Sequence, residues 1–166
     1  MFTIRCTRKL LRHLHADGPR SAPPPTTILG DWYANLLFTR HLRLVICVSE
    51  RSLLPVFVEA KDRSTFADRL RKAVRSVMRD IGVAGSLIEA ELNEMSQIRI
   101  GSTSSRRVLG SLNELGFLSR YSIDGRPQVD LMALAAEIAE TPCSLIKYQS
   151  PKSRTLSLLR NRSVDA

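Results

Sequence analysis

The chain has 166 residues, of which 43% are hydrophobic and 25% are charged, and its formal net charge is +9. This length and composition are typical of one folded globular domain and exclude a wholly disordered protein. The longest purely apolar run, residues 44–48, is too short to cross a bilayer, so we expect no membrane partner.

The first part of the chain is predicted to consist mainly of strands. Residues 2–6 alternate enough for a strand, and Thr7 can cap a short helix after it. Glycine and prolines make residues 17–27 a loop within the domain. Three further strands are expected over residues 32–38, 42–48 and 53–58. The second of these is apolar on both faces and therefore central, whereas Pro55 indicates an edge or a bulge for the third.

The second part of the chain is predicted to be mainly helical. Residues 63–81 carry apolar side chains at helical spacing, and Ser86 with Glu89 forms a capping box for a shorter helix. A short strand is expected over residues 97–100, and Asp130 can cap a later helix. These elements predict an α+β fold in which an antiparallel sheet of about four or five strands carries four or five helices, mostly on one face.

The domain is expected to extend over residues 1–150 and to include the loop at 17–27. Residues 151–166 are expected to form a basic, flexible tail. The ends of the chain are basic and its middle is mildly acidic, which favours an anionic partner such as nucleic acid. Most of the cations are arginines, however, and a GC-rich genome produces that bias with no binding role.

A further helix is expected to begin at Ser104 or Ser105, and it places cations where a helix should resist them. Arg106 and Arg107 fall in its first turn, where the positive end of the helix dipole disfavours each by a few tenths to about 1 kcal/mol unless an anion compensates. A glycine inside a helix costs about 1 kcal/mol relative to alanine, so Gly110 indicates close approach of another backbone or of a ligand.

These residues form the first candidate site. Arg106 and Asn113 would flank the gap at Gly110, and hydroxyls of Thr103, Ser104 and Ser105 would join the free amides of the first turn in binding a phosphate or carboxylate. The alternative is structural: Gly110 packs against another element, and the arginines pair with acids such as Glu89, Glu91 or Glu94.

The second candidate site is a row of cations on the predicted helix at 63–81. Arg71, Arg75 and Arg79 recur every four residues and would lie on one face, opposite the apolar one. Such a face can follow a nucleic-acid backbone, although a solvated helix surface explains it equally.

Nothing in the sequence indicates catalysis, a metal or a cofactor. The chain has no G-x-S-x-G, H-E-x-x-H, P-loop or G-x-G-x-x-G pattern. Its three cysteines are odd in number and widely spaced, which suggests neither a disulfide framework nor a zinc site and favours a reducing cytoplasm. Cys47 lies in an apolar strand and is expected to be a buried, inert thiol.

Several short blocks, taken in order, resemble a bacterial domain family of unknown function. They are residues 4–10 (I-R-C-T-R-K-L), 32–36 (W-Y-A-N-L), the strand pair at 45–58, residues 108–114 (V-L-G-S-L-N-E) and the closing segment 141–151. The resemblance implies that residues 2–14 belong to the fold, although their arginine-rich surroundings superficially resemble a mitochondrial transit peptide. It transfers no catalytic role, because that family brings no established activity.

The resemblance also separates the two arginines. The family motif contains an arginine, V-L-G-S and an asparagine, which here are Arg106, residues 108–111 and Asn113. Arg107 stands where the family has a serine or another small polar residue, so any role for it would be specific to this chain.

Three functional hypotheses follow. The first is a non-catalytic cytoplasmic module that contacts nucleic acid or an acidic partner through Arg71, Arg75, Arg79 and Arg106. The second is a regulatory or protein-interaction subunit, as in a toxin and antitoxin pair. The third is an enzyme or binder for a phosphorylated or carboxylated small molecule at residues 103–113. The oligomeric state, and whether the two basic regions share a surface, stay open at this point.

Overall fold

The protein is an α+β domain, as predicted. The computed structural model describes residues 1–164, and side chains as far as residue 161. The strands are β1 (Phe2–Cys6), β2 (Trp32–Phe38), β3 (Arg43–Ser49), β4 (Pro55–Glu59) and β5 (Ile98–Ser102). The α-helices within the described residues are α1 (Arg8–His13), α2 (Phe66–Asp80), α3 (Gly85–Glu94), α4 (Arg106–Asp124), α5 (Leu131–Ile138) and α6 (Pro151–Val164). No helix in that part of the chain is both long and apolar enough to span a membrane.

The sheet is mixed, so the expectation of a purely antiparallel sheet is wrong. Its strand order is β4-β3-β2-β1-β5. Strands β2, β3 and β4 form the antiparallel part, but β1 runs parallel to both β2 and β5. The parallel neighbours β1 and β2 are joined by a crossover through α1 and the loop at 17–27, whereas α2 and α3 carry the chain from β4 at one edge of the sheet to β5 at the other.

Burial explains the order of the antiparallel strands. Every residue from Leu44 to Ser49 is buried, so β3 is covered on both faces and lies inside the sheet, as its composition predicted. Strand β4 is at the edge and begins at Pro55, where the missing N–H costs no ladder bond. Helix α4 packs across β2 and β3, whereas α2 and α5 pack on β4 and on each other.

A buried ion pair fixes β1 against the start of β2. The Asp31 carboxylate accepts hydrogen bonds from the backbone N–H of Thr3 at 2.8 Å and from Nε of Arg5 at 2.9 Å. The Arg5 guanidinium also donates to the backbone carbonyl of Arg20 at 2.6 Å. Arg5 and Asp31 are 7% and 2% exposed. Two strands and the loop at 17–27 therefore meet at one buried pair of charges.

Two glycines let that loop lie directly on β5. A Cβ atom at Gly18 would stand 2.7 Å from the carbonyl carbon of Gly101, and one at Gly101 would stand 2.8 Å from Cγ2 of Thr3. Real Cβ atoms do not approach other atoms so closely, so both positions need glycine. The loop is therefore packed against the sheet, although it has no regular secondary structure.

Helix starts follow the N-cap predictions in three of four cases. The side chains of Thr7, Ser105 and Asp130 accept hydrogen bonds from the first turns of α1, α4 and α5. The capping box at Ser86 is wrong: α3 begins at Gly85 without a side-chain cap, and the carboxylate of Glu89 pairs instead with Arg75.

The tail expected at 151–166 to be flexible forms a helix, so that prediction is wrong for residues 151–164; residues 165 and 166 lie outside the described part. In α6, Thr155 and Leu159 are buried, and the Thr155 hydroxyl donates to Oγ of Ser52 at 2.8 Å. Ser150 caps the helix, because its hydroxyl accepts a hydrogen bond from the N–H of Ser153 at 3.1 Å. The C-terminal segment is thus part of the fold.

We expect Asp31→Ala to destabilise the protein by about 3–5 kcal/mol, because it leaves the Arg5 cation buried without a carboxylate. Glu137→Ala, which breaks the exposed pair with Arg126, is the matched control and should cost less than about 1 kcal/mol. Urea unfolding midpoints measure both effects. Equal losses in the two variants would show that the buried pair has no special role.

Candidate anion-binding site

The Tyr33 hydroxyl on β2 fixes the start of α4. It accepts the N–H of Ser105 at 3.1 Å and lies 3.0 Å from Oγ of Ser104. The Ser105 hydroxyl then caps the helix by accepting the N–H of Val108 at 3.3 Å. Since Tyr33 is completely buried, this contact holds the positive end of α4 at a defined place beside the sheet.

A cleft of about 410 Å³ opens beside that helix end. Four cationic side chains line it: Arg107 of α4, Arg51 after β3, Lys147 before α6, and Arg154 of α6. Glu50 is the single acid among the lining residues of the cleft, and its carboxylate accepts the N–H of Asp31 at 3.3 Å. The cleft is therefore strongly cationic.

None of the four cations has an acidic partner within the residues whose side chains are described. Arg51 donates to the carbonyl of Ile28 at 3.2 Å, and Arg154 donates to the carbonyl of Arg51 at 3.5 Å. No hydrogen bond or ion pair engages the side chains of Arg107 and Lys147 in that part of the chain, and both are exposed. Their positive charges are thus available to a ligand.

The Lys147 side of the cleft has an unusual backbone. Lys147 and Tyr148 are consecutive residues with left-handed φ values of 58° and 60°. Each costs about 1–2 kcal/mol for a residue other than glycine. The turn is closed by hydrogen bonds from the N–H of Cys143 to the carbonyl of Gln149, at 3.1 Å, and from the N–H of Tyr148 to the carbonyl of Cys143, at 2.9 Å.

Of the residues expected to form a site around Gly110, Ser105 lines this cleft, whereas the others do not converge on it. Arg106 and Asn113 are exposed and line other surfaces, Ser104 is exposed, and Thr103 is half-buried. Around Gly110, no heavy atom of the described chain beyond its own helix lies within 4 Å of the place where a Cβ would be. Gly110 therefore accommodates no close neighbour within the described residues, and a ligand role for Arg106 and Asn113 stays a prediction.

The acids expected to pair with Arg106 and Arg107 in the structural alternative have other partners. Glu89 pairs with Arg75, Glu91 accepts the N–H groups of Ile28 and Leu29 at 2.9 Å, and Glu94 lies 4.0 Å from the N-terminal amine. These acids are engaged elsewhere.

The arginine row on α2 is only partly free. Arg71 donates to the carbonyl of Leu92 at 3.3 Å, and Arg75 pairs with Glu89, so both are tied to α3. Arg79 is exposed, and within the described side chains it has no hydrogen bond or ion pair. Arg71 and Arg75 line a separate cleft of about 290 Å³ that shares no residue with the cationic cleft. The two basic regions are thus two surfaces.

Sequence reasoning missed three of the four cations in the cleft. Arg51 and Arg154 are 103 residues apart, and no local pattern connects them with each other or with Lys147. The sequence pattern drew attention to one of the four cations, Arg107, which stands where the family has a small polar residue. Its position 100° around the helix from Arg106 directs it to a different surface.

The cysteines offer no reactive thiol. All three are free and buried. Burial raises the pKa of Cys6 from 9.0 to about 12 and raises the pKa of Cys47 well above its ordinary value, with a further contribution from the charge of Cys6. Burial, and secondarily the charge of Glu114, also raises the pKa of Cys143. The thiols are therefore protonated and poorly nucleophilic at neutral pH. The described residues also hold no group of three or more His, Cys, Asp or Glu side chains suited to a metal ion.

We expect the free energy of unfolding to fall as the pH rises from about 9 towards 12. In that range the thiol of Cys6 ionises in the unfolded chain but stays protonated in the folded one, so the unfolded state is favoured by up to about 1.36 kcal/mol per pH unit. Urea unfolding at pH 8 and pH 10 measures the change, and Cys6→Ala should lose part of it. Identical slopes for Cys6→Ala and wild type would contradict the assignment to Cys6.

Comparisons with known proteins point to one family. Residues 3–154 match the model of a family described as a domain of unknown function, DUF6933. Comparison with curated proteins and with solved structures found no match. The matched range includes α1 to α5 and all five strands except Phe2, the first residue of β1, and it ends within α6. The chain therefore belongs to the DUF6933 family, a domain family of unknown function.

Proposed function

We propose that the protein is a non-catalytic cytoplasmic binding module whose cationic cleft holds a phosphate or carboxylate group of a small ligand. The observation that supports this proposal is the convergence of four cations, Arg51, Arg107, Lys147 and Arg154, beside the start of α4, where Glu50 is the one acid among the described lining residues and forms no ion pair with them. Like charges gathered in one cleft repel one another, and a bound anion would relieve that repulsion. The three free cysteines fit a reducing cytoplasm.

The helix end adds hydrogen-bond donors to the charge. The first N–H groups of any helix lack partners inside the helix. Here Ser105 takes the N–H of Val108, and Tyr33 takes that of Ser105. The N–H groups of Arg106 and Arg107 are not used by any other group in the described part of the chain, so they can join the side chain of Arg107 around an oxyanion.

The size of the cleft favours a small ligand. A volume of about 410 Å³ lies in the lower part of the range of small-molecule sites, about 300–1,000 Å³. Charge-assisted hydrogen bonds of the kind that Arg107 would donate are worth about 1.5–3 kcal/mol each.

Anion titrations test this proposal. Inorganic pyrophosphate and citrate, added at about one hundred times their dissociation constants, should raise the stability of wild type by about 2.7 kcal/mol and the melting temperature by about 5–10 °C. Arg107→Ala should weaken binding by about tenfold or more, measured by calorimetry. Two controls each remove an equal charge from outside the cleft: Arg106→Ala at the neighbouring residue and Arg79→Ala on α2. Both variants should bind the anions like wild type.

Two results would count against the cleft. The first is the absence of a shift with every anion tested. The second is an equal loss of binding in Arg107→Ala, Arg106→Ala and Arg79→Ala, which would indicate a response to net charge alone.

Nucleic acid is the second candidate partner, because Arg79 is exposed on α2 and has no partner among the described side chains. Binding to DNA or RNA at about 50 mM salt that weakens steeply with salt, and that Arg79→Ala reduces more than Arg107→Ala does, would favour α2 as the contact surface. The hypothesis of a regulatory subunit stays a prediction, since no geometric observation favours it.

A further inference from the structure

Helix α4 has one face that nothing in the described chain covers. Gly110 has open space beyond it, and Phe117 and Tyr121 are 72% and 80% exposed. Arg106 is exposed and has no hydrogen bond or ion pair with any described side chain. At 100° per residue, these four residues lie within about 60° of arc. An exposed stripe of two aromatic rings, a cation and a glycine thus runs along the helix.

The glycine in this stripe makes no close contact with the described part of the chain. An exposed glycine inside a helix costs about 1 kcal/mol relative to alanine, and nothing is packed close to Gly110. Phe117 and Tyr121 are four residues apart and therefore neighbours on the helix surface, and a contiguous exposed apolar patch, unlike a single exposed residue, marks an interaction site. A partner that approaches the helix backbone closely at Gly110 and covers the rings accounts for both features.

The four residues are arranged symmetrically about the midpoint between Asn113 and Glu114. Gly110 and Phe117 lie at equal distances on either side of that point, and so do Arg106 and Tyr121. If a second copy of α4 lies antiparallel across the first with its midpoint aligned, Phe117 of each copy stands opposite Gly110 of the other. The ring then fills the space that the missing side chain leaves.

The same alignment places a cation of each copy opposite an aromatic ring of the other. Arg106 of each copy stands opposite Tyr121 of the other, where a guanidinium over the face of an aromatic ring gains about 0.5–1 kcal/mol at an exposed site. An unrelated partner would have to supply an aromatic side chain at Gly110 and a cation at Tyr121, whereas the reversed copy of this helix supplies both. We propose that the protein forms a two-fold symmetric homodimer in which the α4 helices pack antiparallel through Arg106, Gly110, Phe117 and Tyr121.

The buried area suits a modest dimer. Fully buried aromatic side chains remove about 150–250 Å² each from solvent. Because these rings are 72% and 80% exposed, two copies of Phe117 and Tyr121 supply about half to three quarters of the roughly 1,000 Å² that a specific interface needs. This interface uses the side chain of Arg106, whereas the cationic cleft uses the side chain of Arg107, so side-chain substitutions can test the dimer and the ligand site separately.

Sedimentation velocity of the full chain over a range of concentrations tests the dimer. Wild type should reach twice the 18.6 kDa mass of the chain. Phe117→Ala and Gly110→Gln should each weaken the dimer by about tenfold or more. Gly110→Gln is the more specific test, because the open space at Gly110 accommodates the new side chain in the monomer. In the dimer, the same side chain would occupy the position of the ring of Phe117 from the second copy. The same substitution at Gly85, another helical glycine with open space beyond it, should leave the dimer intact.

Cross-linking tests the antiparallel alignment itself. Asn113 lies next to the proposed two-fold axis, so Asn113→Cys should form a disulfide with its own counterpart in the second copy under mild oxidation. The three native cysteines are buried and leave the background low, and Arg79→Cys on α2 should not cross-link. A monomer at every concentration would overturn the proposal. So would a dimer that Gly110→Gln and Phe117→Ala leave unchanged.

Discussion

The contact between the Tyr33 hydroxyl and the backbone of Ser105 determines what α4 presents to its surroundings. It joins the second residue of β2 to the first turn of the helix, at 3.1 Å, inside a buried environment. Further along α4, Gly116 lies against Ile46 of β3, and the Asp124 carboxylate accepts the N–H of Arg40 at 2.9 Å. A helix held at its start, middle and end cannot turn about its axis. Arg107 is therefore directed to the cleft, and the face with Gly110 and Phe117 is directed outward.

The treatment of cations differs sharply between the core and the cleft. Arg5 is buried, and its guanidinium is satisfied by the carboxylate of Asp31 and the carbonyl of Arg20. Burying a charge without a partner costs several kcal/mol, so a buried cation needs a pairing of this kind. The four cations of the cleft pair with no carboxylate among the described side chains, although Glu50 lines the same space. Water can solvate these cations while the cleft is open, so the fold tolerates them. Their charge is not neutralised by an ion pair among the described side chains.

The sequence was sufficient where a single residue carries the structural signal. Hydroxyl and carboxylate caps located the starts of α1, α4 and α5, and Pro55 located the edge strand. The pair Ser150 and Pro151 is an equally good signal for the start of α6, because serine caps a helix and proline suits its first position. The prediction of a flexible tail rested instead on the basic composition of the segment.

The sequence was insufficient where structure depends on distant residues. The parallel pairing of β1 depends on a crossover connection and on the ion pair between Asp31 and Arg5. Local periodicity in the sequence reveals neither of these. The cleft combines side chains from four separate segments for the same reason. At α4 the pattern drew attention to the right helix, yet the anticipated neighbour of Gly110 does not exist within the described chain. The space beyond that glycine is better explained by a second copy than by an internal contact.

Binding of an anion at the start of α4 can be tested residue by residue through backbone amide chemical shifts measured during a pyrophosphate titration. We expect saturable shifts to concentrate at Arg106, Arg107 and Val108 and at the turn around Lys147, with little change along α2. Shifts that are largest at Arg71, Arg75 and Arg79, or that spread evenly over all basic residues without saturation, would contradict it.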